Sequence, residues 1–102
     1  MADTVAQTVL FAQDPRGNRQ QGRISVGFPI RESQADFVVH VQIDGLRLPG
    51  EIHGSDSFQA LSYALVFVRA VLRQSLEDGW QFFGGMEDQQ PFDFEHYWFG
   101  TA

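Results

Sequence analysis

Two stretches in which apolar residues recur at every second position predict β-strands in the first half of the chain. The first covers residues 23–30 and the second residues 36–44. Successive side chains of a strand point to opposite faces, so a period of two is typical of a strand with one buried face. The residues expected on the buried faces of these two strands are Ile24, Val26, Phe28 and Ile30, and then Phe37, Val39, Val41 and Ile43.

Turn signals separate these strands from their neighbours. The polar stretch 14–22 follows a short apolar run at 8–12 and predicts a hairpin loop. Asp44 and Gly45 form a strong tight-turn dipeptide, so residues 46–52 are expected to return as the next antiparallel strand. The first half of the chain therefore predicts an antiparallel sheet.

One long helix is predicted at about residues 57–77. Asp56 is a good N-cap with Gln59 three residues later, and Gly79 is a suitable stop. Apolar residues at three- and four-residue spacing predict the face that lies across the sheet. These residues are Phe58, Leu61, Leu65, Val68, Leu72 and Leu76.

The opposite side of this helix is less polar than a solvated face should be. It carries Tyr63, Val66, Phe67 and Ala70. Either the aromatic C-terminal segment folds over these residues, or they meet another chain and form an oligomer face. We favour the first alternative, because the aromatic residues needed to cover them are close in sequence.

The remainder of the chain completes an α+β fold. Residues 80–83 predict a short strand, residues 84–91 an exposed acidic loop and residues 92–99 a last extended segment. The expected architecture is a single domain, residues 1–102, with one antiparallel sheet of four to five strands and the long helix packed on one face. Residues 91–102 form its aromatic and acidic C-terminal segment.

Charge is distributed very unevenly along the chain. Residues 1–73 carry seven Arg and seven acidic residues, whereas residues 74–102 carry six acidic residues and no base, which accounts for the net charge of −6. Residues 74–102 also hold eight of the fourteen aromatic residues. Carboxylates steer an encounter with a basic partner and aromatic rings anchor it, so this composition favours a binding surface. The alternative is that the rings form core and the acids only solvate its outside.

Composition excludes several classes of function. The chain has no Cys and no Lys, which excludes disulfides, thiolate sites, Schiff-base lysines and P-loop lysines. No apolar run approaches the length of a membrane span, and the N-terminus lacks the pattern of a secretory signal, so we expect a cytoplasmic protein. Acidic residues follow Gly84-Gly85 directly, which argues against a phosphate loop and against nucleic-acid binding. No cofactor is expected.

No catalytic or metal-binding pattern stands out. The three His residues are not at the spacing that places two ligands on one helix face. A small enzyme would have to combine Glu51 and His53, which share a face of a strand, with the group Asp93, Glu95 and His96. We expect a protein that is not an enzyme and binds no metal.

The start of the long helix resembles that of a known family. Residues 54–61 read Gly-Ser-Asp-Ser-Phe-Gln-Ala-Leu, followed by Ala64, Leu65, Val68 and Arg69 and, after the helix, by Gly84-Gly85. Here the chain resembles a family of small bacterial domains of unknown function, in which a strand leads through a Gly-x-Asp-Ser-x-Gln-Ala-Leu start into a long helix. The resemblance covers roughly residues 20–86, implies this fold and a bacterial origin, and brings no known activity.

These observations favour a non-enzymatic protein-binding domain. Its most concrete form is a bacterial immunity protein that neutralises a cognate toxin domain with a basic site. The residues expected to bind the partner are Glu87, Asp88, Asp93 and Glu95 as steering charges, with Tyr97 and Trp98 as anchors. The alternatives are a homodimer or larger oligomer that uses the outer helix face as a structural module, and a small hydrolytic enzyme.

Overall fold

The alternating stretches form strands, and the chain folds as the predicted α+β architecture of one antiparallel sheet with helices on one face. The computed structural model describes residues 4–44 and 48–100. Its elements are β1 (Thr4–Gln13), β2 (Arg19–Gly27), β3 (Ile30–Ser33), β4 (Asp36–Ile43), β5 (Leu48–Gly54), α1 (Ser57–Glu77), β6 (Gln81–Phe83) and α2 (Phe94–Phe99). The predicted tight turn at Asp44-Gly45 extends into residues 45–47, which lie outside the described residues.

The sheet has β6 at one edge and β5 at the other. β6 pairs with β1, β1 with β2, and β2 with β4. β3 continues the line of β2 along the same side of β4, while β5 pairs with the other side of β4. All of these pairs are antiparallel, as the turn signals predict.

A one-residue irregularity between β2 and β3 corrects one sequence prediction. Val26 lies opposite Val41, but Ile30 lies opposite Val38. The chain thus advances four residues from β2 to β3 while β4 advances only three. An extra residue moves every following side chain to the other face of the sheet. Ile24 and Val26 are therefore buried under the helices, whereas Phe28 and Ile30, predicted to share their face, are about half exposed.

The buried face of α1 is rotated from the predicted stripe. The buried positions are Ala60, Ala64, Val68, Leu72 and Ser75. Three residues predicted to pack on the sheet are not buried: Phe58 is 81% exposed, and Leu65 and Leu76 are a little under half exposed. The small residues explain the rotation, because a Cβ on Gly54 would lie 2.4 Å from the backbone nitrogen of Ala60. Glycine and alanine thus let the helix approach β5 more closely than a large side chain would allow.

The ends of α1 follow the sequence signals. The Asp56 side chain accepts a hydrogen bond from the backbone N–H of Gln59 at 2.7 Å. The Gln59 side chain in turn accepts from the backbone N–H of Ser55, so two donors at the helix start are satisfied. At the other end Gly79 has a φ of +97°, which terminates the helix as predicted.

The C-terminal segment corrects a third prediction. Residues 92–99 are expected to be extended, but α2 forms there with Asp93 as its N-cap and Gly100, in the left-handed conformation, as its C-cap. The Asp93 carboxylate accepts from the backbone N–H of His96 at 3.2 Å. These two capping residues and the four-residue spacing of Phe94 and Trp98 indicate a short helix, and they override the aromatic composition that favours a strand. In the described part of the chain no helix has the length and apolar character that crossing a membrane requires.

Candidate functional site

Arg19 organises the loop that follows β6. Its Nη1 donates to the backbone carbonyls of Gly85, Met86 and Asp88 at 3.1, 2.8 and 2.7 Å. The same guanidinium lies 3.5 Å from the ring centroid of Phe83, and its Nε donates to the side chain of Gln13. A planar donor group with several N–H bonds suits this arrangement, which a Lys could not reproduce. We call these contacts the Arg19 clamp.

The two glycines of this loop lie beside the Asp88 side chain. A Cβ on Gly85 would lie 3.2 Å from the Asp88 carboxylate, and one on Gly84 would lie 3.4 Å from it. The backbone N–H of Asp88 also donates to the carbonyl of Gly85. Both contacts are with the end of an exposed side chain, so a larger residue at either position would displace the Asp88 carboxylate rather than the backbone.

The acidic side chains of the loop remain on the surface. Glu87 and Asp88 are exposed, and the Arg19 clamp holds the Asp88 carbonyl rather than its carboxylate. Among the residues that the structure describes, no Arg or His forms an ion pair with Glu87, Asp88 or Asp93. The loop is thus fixed through its backbone, while its carboxylates form no ion pair within the described residues.

Beyond this loop the chain returns to the sheet and packs its aromatic residues beside β6. The backbone N–H of Phe92 donates to the carbonyl of Phe82 at 2.7 Å. Phe94 is buried, and its ring meets that of Phe82 edge-on with centroids 6.0 Å apart. Trp98 packs against Phe92 with centroids 5.0 Å apart and against Phe94. Most of the C-terminal rings are therefore core, and Trp98, predicted as an anchor, is half-buried among them.

Tyr97 differs from its aromatic neighbours. Its side chain is 75% exposed, although one edge touches Phe92 at a centroid distance of 5.4 Å. It lies one turn after Asp93, and its backbone N–H donates to the Asp93 carbonyl. An exposed ring fixed on a capped helix is suited to anchor a partner at low entropic cost.

Glu95 has a different environment from the other predicted steering charges. It forms ion pairs with Arg69 at 2.8 Å and with Arg73, and the guanidinium of Arg69 also lies over the Phe99 ring. The hydrogen bond from Arg73 is the main cause that lowers the pKa of Glu95, and Arg69 adds to it. This carboxylate therefore joins α2 to α1.

The structure thus places four of the six predicted binding residues on an exposed segment. We call Glu87, Asp88, Asp93 and Tyr97 the acidic edge. They follow one another along the chain that leaves β6, turns at the Arg19 clamp and enters α2. Arg19 was not identified from the sequence, where it is one residue of the polar stretch 14–22 that predicts a hairpin loop. Only its long-range contacts distinguish it.

The outer side of α1 is only partly covered. Tyr63 and Val66 are 50% and 63% exposed, Ala70 is exposed, and Phe67 is half-buried. We call these four residues the helix stripe. The prediction that the C-terminal segment covers them is wrong, because the ion pairs of Glu95 place α2 beside Arg69 and Arg73 instead.

The residues considered for catalysis lie apart. The Nδ1 of His53 forms a hydrogen bond with the Asp36 carboxylate at 2.8 Å, and its Nε2 lies 3.9 Å from Glu51. His53 pairs with Val38, on the face of the sheet opposite to the helices, whereas Asp93 and Glu95 belong to the helix-bearing side. The hydrogen bond with Asp36 is the main cause that raises the pKa of His53. Within residues 4–44 and 48–100 no cluster of His, Asp and Glu is suited to hold a metal ion.

An apolar cavity between the two helices is a feature that sequence reasoning did not identify. Its volume is about 230 Å³, with Ile24 and Val26 of the sheet among its walls, together with Leu65, Val68 and Trp98 of the helices. The rotation of α1 and the position of α2 create it, and neither follows from the periodicity of the chain.

Comparisons with protein-family models, with curated proteins and with solved structures find no match for this chain. The resemblance at residues 54–61 stays a prediction, and the proposals for this protein rest on its own geometry.

Proposed function

We propose that this protein is a non-enzymatic binding domain that captures a basic protein through its acidic edge. In its most concrete form it is a bacterial immunity protein that acts in the cytoplasm and occupies the basic site of a cognate toxin. The observation that carries the proposal is the Arg19 clamp, which orders the loop through its carbonyls, while Glu87 and Asp88 stay exposed and form no ion pair with any described residue.

Electrostatics supports a basic partner. Three exposed carboxylates on one segment attract a positively charged surface over a Debye length of about 8 Å at physiological salt. Tyr97 adds an exposed ring one helical turn after Asp93, and Met86, 51% exposed, adds apolar area at the loop. Charged residues speed the encounter with an oppositely charged partner, and a buried aromatic ring stabilises the complex once it has formed.

A charge-neutral variant of the acidic edge tests the proposal. Glu87→Gln, Asp88→Asn and Asp93→Asn together remove three charges, and Asn at position 93 still caps α2. The matched control removes three exposed charges elsewhere, through Glu32→Gln, Glu77→Gln and Asp78→Asn. Truncation after Gln90 is a poor test, because it would remove the buried Phe94.

Both variants and the native protein serve as baits in a lysate of the source bacterium. We expect a basic protein that the native chain and the control retain and that the edge variant loses. The captured protein is then purified and titrated at two salt concentrations, where the edge variant should associate more slowly and with a weaker salt dependence. Equal binding by the edge variant and the control would refute the role of the acidic edge.

Arg19→Lys supplies a second arm of the experiment. It keeps the acids and the net charge but lacks the Nε–H that binds Gln13 and the planar group that lies over Phe83, so it should hold the loop less firmly. We expect weaker binding through faster dissociation. A loop that is not ordered in the free protein must be ordered in the complex, and this costs binding free energy. Unchanged affinity would show that the acids act without the Arg19 clamp. Inhibition of the captured protein's activity by the native chain distinguishes an immunity protein from a simple binder.

A further inference from the structure

The edge strand β5 is open along one side. In the described residues it pairs with β4 alone, over the register from Leu48 opposite Ile43 to Gly54 opposite Phe37. β5 is seven residues long, and beyond Pro49, which has no backbone N–H, residues 50–54 present donors and acceptors that another strand can pair with. Its residues Glu51 and His53 are exposed on one face.

The helix stripe begins directly above this edge. α1 packs mainly on β4 and β5, and the ring of Phe67 lies beside Gly50, where an added Cβ would be 3.2 Å from it. From Phe67 the apolar surface continues outward through Tyr63, Val66 and Ala70. An open sheet edge and an uncovered apolar helix face are two independent observations, and they lie side by side.

We propose that β5 pairs antiparallel with β5 of a second copy, so that two chains form a homodimer with one continuous sheet and their helix stripes in contact. An antiparallel pair of identical strands has its twofold axis perpendicular to the sheet, which places both helices on the same face. This interface is separate from the acidic edge and from the partner proposed for it.

The spacing of the elements fits such a contact. Strands lie about 4.8 Å apart, so an α1 axis above the junction of β4 and β5 is about 4.8 Å from a twofold axis between two β5 strands. The two α1 axes would then be about 9.6 Å apart, within the 8–10 Å range of packed helices. The helix stripes therefore meet at the distance that ordinary side-chain packing needs.

Charge selects the register of the two strands. With Ile52 of each chain on the twofold axis, Glu51 lies opposite His53 of the second copy, and this pair occurs twice. The Nδ1 of His53 forms a hydrogen bond with Asp36. Its Nε2 lies 3.9 Å from the carboxylate of Glu51 in its own chain, on the side where carboxylates can approach. A register centred on position 51 would instead oppose two Glu residues, which is unfavourable.

The remaining charges are compatible with self-association. Each chain carries a net charge of −6, but the loop with Glu87 and Asp88 follows β6, which is four strand spacings or about 19 Å across the sheet from β5. Around His53 the facing groups are Asp36 of β4, Glu51 of β5 and Glu32 of β3, and these three raise its pKa. The dimer should therefore weaken as pH rises through this pKa, because a neutral imidazole no longer attracts Glu51 of the second copy.

Sedimentation equilibrium of the full chain gives the first test. We expect a dimer, and we expect Tyr63→Glu with Val66→Glu to raise the dimer dissociation constant by about tenfold or more, because like charges would face each other across the twofold axis. Tyr97→Glu with Met86→Glu is the matched control at the acidic edge and should leave the dimer intact. A native chain that stays monomeric at millimolar concentration would overturn the proposal.

Cysteine cross-linking tests the register. The native chain has no Cys, so an introduced thiol reports only the contact it makes. Chains with Glu51→Cys mixed with chains with His53→Cys should form a disulfide-linked dimer under mild oxidation, well above either variant alone. Gln21→Cys, exposed on the same face of the sheet, mixed with either variant supplies the background. Cross-linking of Glu51→Cys with itself above the mixture, or cross-linking no greater than this background, would exclude the proposed pairing.

Discussion

The two edge strands of the sheet differ in whether the chain covers them. At the β6 edge the chain returns over its own strand, buries Phe94 and fixes the following loop through the Arg19 clamp. At the β5 edge the described chain adds nothing beyond the strand itself, and the neighbouring helix stripe is left half exposed. The covered β6 edge can present charged residues to a different protein. The open β5 edge, with the apolar helix stripe beside it, is suited to pair with the same edge of a second copy.

The largest expected effect comes from breaking the cover of the β6 edge. Phe94→Ala removes a buried ring that packs edge-on against Phe82, and we expect a loss of about 3–5 kcal/mol in the free energy of unfolding. Tyr97→Ala, three residues along the same helix but 75% exposed, should change stability by no more than about 0.5 kcal/mol. Urea unfolding followed by tryptophan fluorescence measures both. Similar losses for the two variants would mean that α2 is not part of the core.

A smaller effect is expected at the β5 edge. Gly54→Ala places a Cβ against the backbone of Ala60, so α1 must shift away from β5, and we expect a loss of about 1–3 kcal/mol in the free energy of unfolding. Gly50→Ala is the matched control, because its Cβ meets only the ring of Phe67, which can move. The melting temperatures should fall more for Gly54→Ala. The reverse order would show that α1 is not seated on β5 through Gly54.

The smallest effect concerns the ion pairs that join the two helices. The pKa of Glu95 is lowered in the folded protein, so its contribution to stability is present above the ordinary pKa of a glutamate and is lost as pH falls through the lowered value. Glu95→Gln should therefore be less stable than the native chain at neutral pH, and the difference should disappear in acid.

Urea unfolding at neutral pH and near pH 2 measures this difference, with Glu77→Gln as a control that lies exposed on α1. A difference between Glu95→Gln and the native chain that persists in acid would assign the role of Glu95 to packing rather than to charge.

The fold follows largely from local patterns in the sequence. The apolar residues at every second position of β4 and the capping signals of α1 predict these two elements correctly, although the buried face of α1 differs from the predicted one. The face of Phe28 and Ile30 could not be predicted in this way. It depends on one extra residue opposite β4, and a register is a property of two strands rather than of one.

The candidate site was predictable in composition and less so in geometry. Glu87, Asp88, Asp93 and Tyr97 are exposed, but the same composition gives no sign that Glu95 pairs with two Arg from α1. Those Arg residues are more than twenty positions away in sequence, and the pairing arises only because α2 is a helix. Arg19 was missed for the same reason, since its partners lie more than sixty residues away.

The Arg19 clamp has a consequence for how this loop can change over evolutionary time. It grips main-chain carbonyls, which every amino acid possesses, so the shape of the turn at Met86 and Glu87 does not depend on their side chains. Gly85 lies beside the Asp88 carboxylate, and its neighbours are free to be exchanged. Substitutions at the exposed positions of this loop can therefore change which partner is bound, while the rest of the domain keeps its structure. Antibody loops vary on a constant scaffold in the same way.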